Sequence, residues 1–478
     1  MPYTLDPADW DAVRALGHRM VDDMTAWLAG IRDQPAWRPI PAAARAALRE
    51  SLPEDPQGLE RAYQDFQSRI LPYAVANTHP RFWGWVKGTG SAEGMLAGLL
   101  ADGLNLNAWG GGDAAPHVEL QVLDWLKQLL GFPGTSSGLL VTGGSMANII
   151  ALAVARDRHL DPDRGLQGAA APLRVYCSDQ THNWVQKAGR LLGLGREGIR
   201  SVPTTARFEM DLAALERMIA EDHAAGSRPV CVIGNAGTVN TGATDDLGAL
   251  AALCRREGLW FHVDGAFGAL AAMSDRLRLL VRGMEQADSV AFDLHKWLHV
   301  PYDCGCVLVR DAEAHRRSFS PPAGYLAPLE RGTSAGPINF GEYGPDLSRS
   351  FRALKVWLCF KAHGTSTYAR LIEQNVEQAR GLAARIEAEP ELELLAPVPL
   401  NVVCFRYRPA GSVPGEALDA LNREILMRVQ EEGLAVPSGT VVRGSFAIRC
   451  AITNHRSRDE DFGMLCDGVL RIGREVTV

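Results

Sequence analysis

The sequence predicts an α/β fold: a mostly parallel sheet with helices on both faces, preceded by a helical arm and followed by a small α+β domain. Three observations predict it. From about residue 85 to 310, short apolar runs bounded by turns alternate with helical patterns, as in a sheet buried on both faces. Before that stretch the periodicity is helical, without turn-separated strands. After it, helices and short strands mix. At 478 residues and 46% hydrophobic, the chain can bury a large core divided among domains. The expected division is an arm over 1–84, a large α/β domain over 85–360 and a small domain over 361–478.

Residues 8–31 place Val13, Leu16, Met20, Val21, Met24, Trp27, Leu28 and Ile31 at helical spacing, which predicts an amphipathic helix. Prolines between Pro35 and Pro56 break the next stretch, and 57–71 is helical again. Strands are expected at 139–141, 174–177, 230–233, 259–263 and 287–292. Helices are expected at 117–130, 146–159, 211–220 and 246–256. A Pro/Gly-rich loop over 320–345 precedes a helix carrying Phe351, Leu354, Val356 and Trp357. Helices at 368–387 and 416–433 and strands at 401–406 and 446–452 complete the small domain.

A net charge of −7 without a basic, aromatic-interleaved patch argues against nucleic acid as a partner. No apolar run approaches the roughly 20 residues a membrane helix needs. The start, Met1-Pro2-Tyr3-Thr4-Leu5-Asp6, lacks the charged and apolar regions of a signal peptide. Nine scattered cysteines favour reduced thiols, hence a cytoplasmic protein. Cys304 and Cys306 are the close pair, and two strand-end thiols explain them better than a metal site; no metal is expected.

The chemistry centres on Asp293-Leu294-His295-Lys296-Trp297, which follows the apolar run 287–292. A lysine just past a strand lies at the sheet edge where α/β enzymes keep their sites. There it can form a Schiff base with pyridoxal 5'-phosphate. Upstream, Gly143, Gly144 and Ser145 lie between a strand and a helix. Glycines admit a close anion, the helix start offers amide N–H groups, and Ser145 adds a hydroxyl; the same residues also make an ordinary turn. Asp264 ends the strand 259–263. It can keep a pyridine nitrogen protonated, which turns the ring into an electron sink, or it can cap a helix. His182, after the strand 174–177, can lie on a cofactor ring and meet a substrate carboxylate, or simply be solvated. Thr238 follows another strand and can flank the ring from the other side. Four polar clusters thus follow four apolar strands, in the order phosphate cradle, stacking histidine, ring-nitrogen aspartate and Schiff-base lysine.

With these residues in place, the chain resembles the group II pyridoxal-phosphate decarboxylases, which include aromatic-L-amino-acid, histidine and glutamate decarboxylases. The resemblance runs over nearly the whole length. It includes Met20-Val21-Asp22, His79-Pro80-Arg81-Phe82, Gly143-Gly144-Ser145, Asp179-Gln180-Thr181-His182, His262-Val263-Asp264, His295-Lys296-Trp297 and Ser350-Phe351-Arg352-Ala353-Leu354-Lys355. It implies a fold-type I homodimer with shared active sites that removes the α-carboxylate of an L-amino acid through a quinonoid intermediate. Lys296 would hold the cofactor as an imine, Asp264 would pair with its ring nitrogen, and His182 would stack on the ring beside the substrate carboxylate. Ser145 and His295 would serve the phosphate, with Thr238 nearby. The segment 104–109 would reach across to the partner.

Three departures bear on product and substrate. Matching 338–352 to the family's mobile loop puts Phe340 where a catalytic tyrosine is expected. Without its proton the carbanion lives longer and is open to dioxygen, as in the aldehyde synthases of the family; Tyr343, three residues on, can substitute. Asn105 and Asn107 stand where aromatic-substrate members carry apolar side chains, and buried amides want polar partners. Trp85 and Lys87 replace an aromatic-rich pocket edge. Lys87 can meet an acidic substrate or point to solvent, the commoner fate of lysine. The expected reaction is decarboxylation to an amine, with decarboxylation-coupled oxidative deamination as the alternative. Transamination and β-elimination keep the cofactor and break other bonds. A non-catalytic scaffold would need neither Lys296 nor Asp264.

Overall fold

The computed structural model describes residues 4–160, 165–320, 330–333, 335–411 and 413–477. The expected loop at 320–345 therefore lies partly outside the described residues, at 321–329 and 334.

The arm begins with α1 (Trp10–Ala29), whose first turn is capped by Asp9 accepting from the amides of Asp11 and Ala12. Within α1 only Leu16 of the expected apolar face is buried, with Ile31 buried just past its end, so the helix lacks a full partner within its own chain. The short helix α2 (Ala42–Ala47) and α3 (Leu59–Asp65) follow. The expected helix over 57–71 loosens into a π turn at Phe66–Ile70 and a 3-10 turn at Leu71–Tyr73. Tyr63 and Gln67 both donate to Asp23, at 2.7 and 2.8 Å, and tie this segment to α1. Helix α4 (Ala92–Leu104) is capped by Ser91 and ends on Asn105 in the left-handed conformation. Helix α5 (Ala114–Leu130) is capped by Asp113 and ends on left-handed Gly131.

The large sheet is built from β1 (Ser137–Val141), β2 (Leu173–Ser178), β3 (Ile199–Val202), β4 (Arg228–Asn235), β5 (Trp260–Asp264), β6 (Ser289–Asp293) and β7 (Gly305–Val309), in the order β1-β7-β6-β5-β4-β2-β3. Interleaved with them are α6 (Gly144–Asp157), α7 (Trp184–Leu191), α8 (Leu212–Ala224), α9 (Leu247–Glu257), the single turn α10 (Leu294–Trp297) and α11 (Ala312–Phe319). Strands β6, β5, β4, β2 and β3 run parallel, and β7 is antiparallel to both neighbours. The link 294–304 is too short for a crossover helix, so β7 must return beside β6. Register then sets the site. Asn235, Asp264 and Ala291 lie abreast, and Val141 and Asp293 both face Gly305. The ends of β1, β4, β5 and β6 therefore share one edge.

The remaining chain forms α12 (Arg352–His363), α13 (Thr365–Ala388), β8 (Leu392–Leu394), β9 (Val402–Tyr407), α14 (Gly415–Glu431), β10 (Ser438–Val442), β11 (Ser445–Ala451) and α15 (Asp459–Thr477). Its sheet, β10-β11-β9-β8, is antiparallel. Arg443 and Gly444, both at positive φ, make the two-residue turn between β10 and β11 that strand twist favours. This sheet has its own core, including Phe405, Ile425 and Leu465. Trp83 joins it, stacked on Phe462 at 4.8 Å and donating to Ser457 Oγ at 3.0 Å. All nine cysteines are free and buried, and no described helix is long and apolar enough to cross a membrane.

Candidate active site

At the shared strand edge lies a cavity of about 480 Å³, walled by Gly143, Gly144, Ser145, His182, Asp264, His295 and Lys296 together with Trp85 and Lys87. Apart from Trp85 and Lys87, these residues follow strands that run parallel in one sheet, which is why they meet there.

Lys296 sits on α10, which is pinned because the amides of Leu294 and His295 both donate to Cys304 O at 3.0 Å. Its Nζ lies 2.7 Å from Asp293 Oδ2. The segment at Gly88 passes so close that a Cβ there would lie 2.2 Å from His295 O and 2.3 Å from Lys296 O, which requires glycine. His295 is buried, accepts from the Cys304 amide through Nδ1 at 3.1 Å, and tilts against the Tyr302 ring at 4.3 Å. Burial lowers its pKa, and Asp293 opposes that effect.

Asp264 is buried at the end of β5. Its Oδ2 accepts from Trp184 Nε1 at 2.7 Å and its Oδ1 from the Ala266 amide at 3.2 Å. His182 stands exposed at the rim and accepts from the Trp184 amide through Nδ1 at 3.2 Å. Its Nε2 therefore carries the proton of the neutral ring. Loss of solvent on its inner side lowers its pKa, and Asp264 counters this.

The cradle opens α6. Its Gly144 amide donates to Asp293 Oδ1, while the Ser145 and Met146 amides have no acceptor among the described residues. Behind the turn, Asn148 donates to Gly144 O at 2.8 Å and faces His262 Nε2 at 2.6 Å; His262 Nδ1 in turn faces Ser289 Oγ at 2.9 Å. This chain of bonds ties the cradle to β5 and β6. Two unpaired amides and a hydroxyl suit an anion, a strand-end carboxylate faces the same cavity, and an amine stands by. That donor set fits pyridoxal phosphate. Ser145 and the free amides would hold the phosphate, Lys296 the aldehyde carbon and Asp264 the ring nitrogen.

Several expected residues lie elsewhere. Thr238 is buried, with its hydroxyl engaged by Thr241 at 3.1 Å and the Ala243 amide at 3.2 Å; Gly237 and Val239 line the cavity instead. Phe340 is fully buried in the core, its amide bonded to Trp109 O at 2.6 Å and the Arg349 guanidinium 4.8 Å from its ring centre. The Tyr343 ring packs edge-on to His315 at 5.1 Å. Neither aromatic lines the cavity of its own chain. Asn105 serves as the left-handed cap of α4, a conformation asparagine tolerates. Asn107 Oδ1 accepts from the Arg349 amide at 2.8 Å. Neither amide lines the cavity of its own chain. Lys87, by contrast, lines it, its Nζ 4.9 Å from the Trp85 ring centre, which corrects the solvent-facing reading.

Asp293, Trp184 and Tyr302 also line the cavity, though the sequence reading gave them no role. Asp293 was legible as a strand-end acid one helical turn before Lys296. Tyr302 had no local signal, because the chain must fold back after α10 to present it.

The conserved-domain model of the pyridoxal-dependent decarboxylases matches residues 41–408. The aromatic-L-amino-acid decarboxylase of Bacillus atrophaeus is 35% identical over 98% of this chain and 97% of its own length. A phenylacetaldehyde synthase of Arabidopsis thaliana is 30% identical over 94% and 93%. Among solved structures, Oryza sativa TDC with PLP and tryptamine superposes with a TM-score of 0.90 at 28% identity, covering 99% of this chain and 100% of that one.

Proposed function

Because the chain belongs to the pyridoxal-dependent decarboxylase family, which sets its cofactor and the bond it breaks, we propose that its substrate is an aromatic L-amino acid and its product the amine. The observation that carries this is that Lys296, Asp264 and His182 line one cavity with the cradle of Gly143, Gly144 and Ser145.

Pyridoxal phosphate, when bound, supplies an aldehyde that joins an amine and a ring that accepts the electron pair left by the departing carboxylate. Lys296 Nζ is the amine that tethers it. Asp264, fixed by Trp184 and the Ala266 amide, would keep the proton on the ring nitrogen. His182 presents Nε2–H to the substrate carboxylate and orients it. Tyr302, in the cavity wall, would donate from Oη the proton that completes the amine. A phenol keeps its proton at neutral pH, so Tyr302 has one to donate.

The cavity lining of Trp85, Phe267 and Tyr302 and the aromatic substrate named for the Bacillus relative support an aromatic side chain. Two copies pair through the outer face of α4, where Leu96, Leu99, Leu100 and Leu104 are exposed, an apolar patch that favours association. The resemblance then has 104–109 reach the partner's cavity. Nine free thiols support a cytoplasmic setting.

A panel of L-amino acids assayed for amine, carbon dioxide and oxygen uptake tests the reading. Turnover of acidic substrates alone rejects the aromatic assignment. Release of aldehyde with oxygen uptake is the second reading, favoured by Phe340 at the family's tyrosine position and by the phenylacetaldehyde synthase relative. That outcome would remove Tyr302 as the proton donor.

A further inference from the structure

Asp293 stands at the phosphate end of the cavity and has no part in the chemistry above. It is 1% exposed. One oxygen lies 2.7 Å from Lys296 Nζ, and the other accepts from the Gly144 amide, with His295 Nε2 at 3.6 Å. The backbone closes tightly over it. A Cβ on Gly144 would lie 2.7 Å from Oδ2, and one on Gly305 3.0 Å from Oδ1. The cradle is thus moulded around a carboxylate, which already takes an amide at the start of α6 that an incoming phosphate would otherwise use. A phosphate dianion arriving there meets a buried negative charge that solvent screens poorly.

We infer that Asp293 is an internal anion that competes with the cofactor's phosphate for the cradle and so sets the affinity for the cofactor. Resting on the site reading above, the inference adds a residue that weakens cofactor binding to those that promote it.

The test uses the full chain freed of cofactor. Inorganic phosphate, pyridoxal 5'-phosphate and pyridoxal are each titrated calorimetrically into wild type, Asp293→Asn and Asp293→Ser. Both variants remove the charge and keep an acceptor for the Gly144 amide, so the result stands on whichever folds. Phosphate is expected to bind about tenfold more tightly in the variants, with pyridoxal changed by less than about twofold. Phosphate binding that is unchanged or weaker overturns the inference. So does pyridoxal gaining as much as phosphate, since that gain would come from releasing Lys296. Wild type in which inorganic phosphate fails to compete with pyridoxal 5'-phosphate rejects the cradle assignment itself, and the inference falls with it.

Discussion

Trp184 donates its indole N–H to Asp264 Oδ2 across 2.7 Å, joining the first turn of α7 to the end of β5. The bond fixes a buried carboxylate in the cavity wall. The same residue's backbone amide fixes the His182 ring. One tryptophan thus positions the two groups expected above and beside the cofactor ring.

Trp184→Phe leaves that oxygen of Asp264 without its donor. The expected loss of stability is about 1–3 kcal/mol, read from the urea midpoint, with a shift of the bound-cofactor absorbance. An unchanged spectrum and midpoint would show that Asp264 is held without the indole.

Asp264→Asn removes the charge while keeping the shape. Turnover should fall by roughly 10²–10³, while the yellow adduct on Lys296 persists and can still be fixed by borohydride. Full activity in this variant would remove Asp264 from its assigned role.

Tyr302→Phe tests the proton donor. Amine formation should drop by about 10²–10⁴, with oxygen uptake rising as the carbanion waits. Unaltered amine output would mean that another group delivers the proton.

Phe340→Tyr places a hydroxyl in a fully buried site beneath Arg349. The expected effect is a stability loss of about 1–3 kcal/mol, seen as a lower Tm, with no change in the amine-to-aldehyde ratio. A shift toward amine would show that this ring does reach a cavity.

Acid should unfold the protein through its buried histidines. Burial pushes His262 and His315 down to about 4, against an unfolded value near 6.5. Each is neutral in the fold, so the unfolded chain binds more protons between those values and stability rises with pH there. The contribution, roughly 3 kcal/mol each, is full above about 6.5 and is lost as pH falls through about 4. Urea midpoints measured across that window check the slope, which His262→Gln should flatten.

Much of the site was legible because each functional group follows an apolar strand, and strand ends are marked locally. The runs before Asp264 and Lys296 announce themselves by burial pattern, and the glycines at 143 and 144 by the helix they open. Strand β3 was not legible, since it is short and half-polar at the sheet edge. Nor were β7, which returns immediately after α10, or the place of Trp83, which leaves the arm to join the C-terminal core.

The sequence by itself carried the resemblance that names the family and the order of chemical groups along the chain, because motifs and strand ends are local features. Only the tertiary structure decided who touches whom: Trp184 on Asp264 across 80 positions, Asp293 inside the cradle, Tyr302 rather than Phe340 in the cavity wall. Those contacts are set by strand register and by the packing of distant segments, and neither leaves a periodic mark in the residues involved.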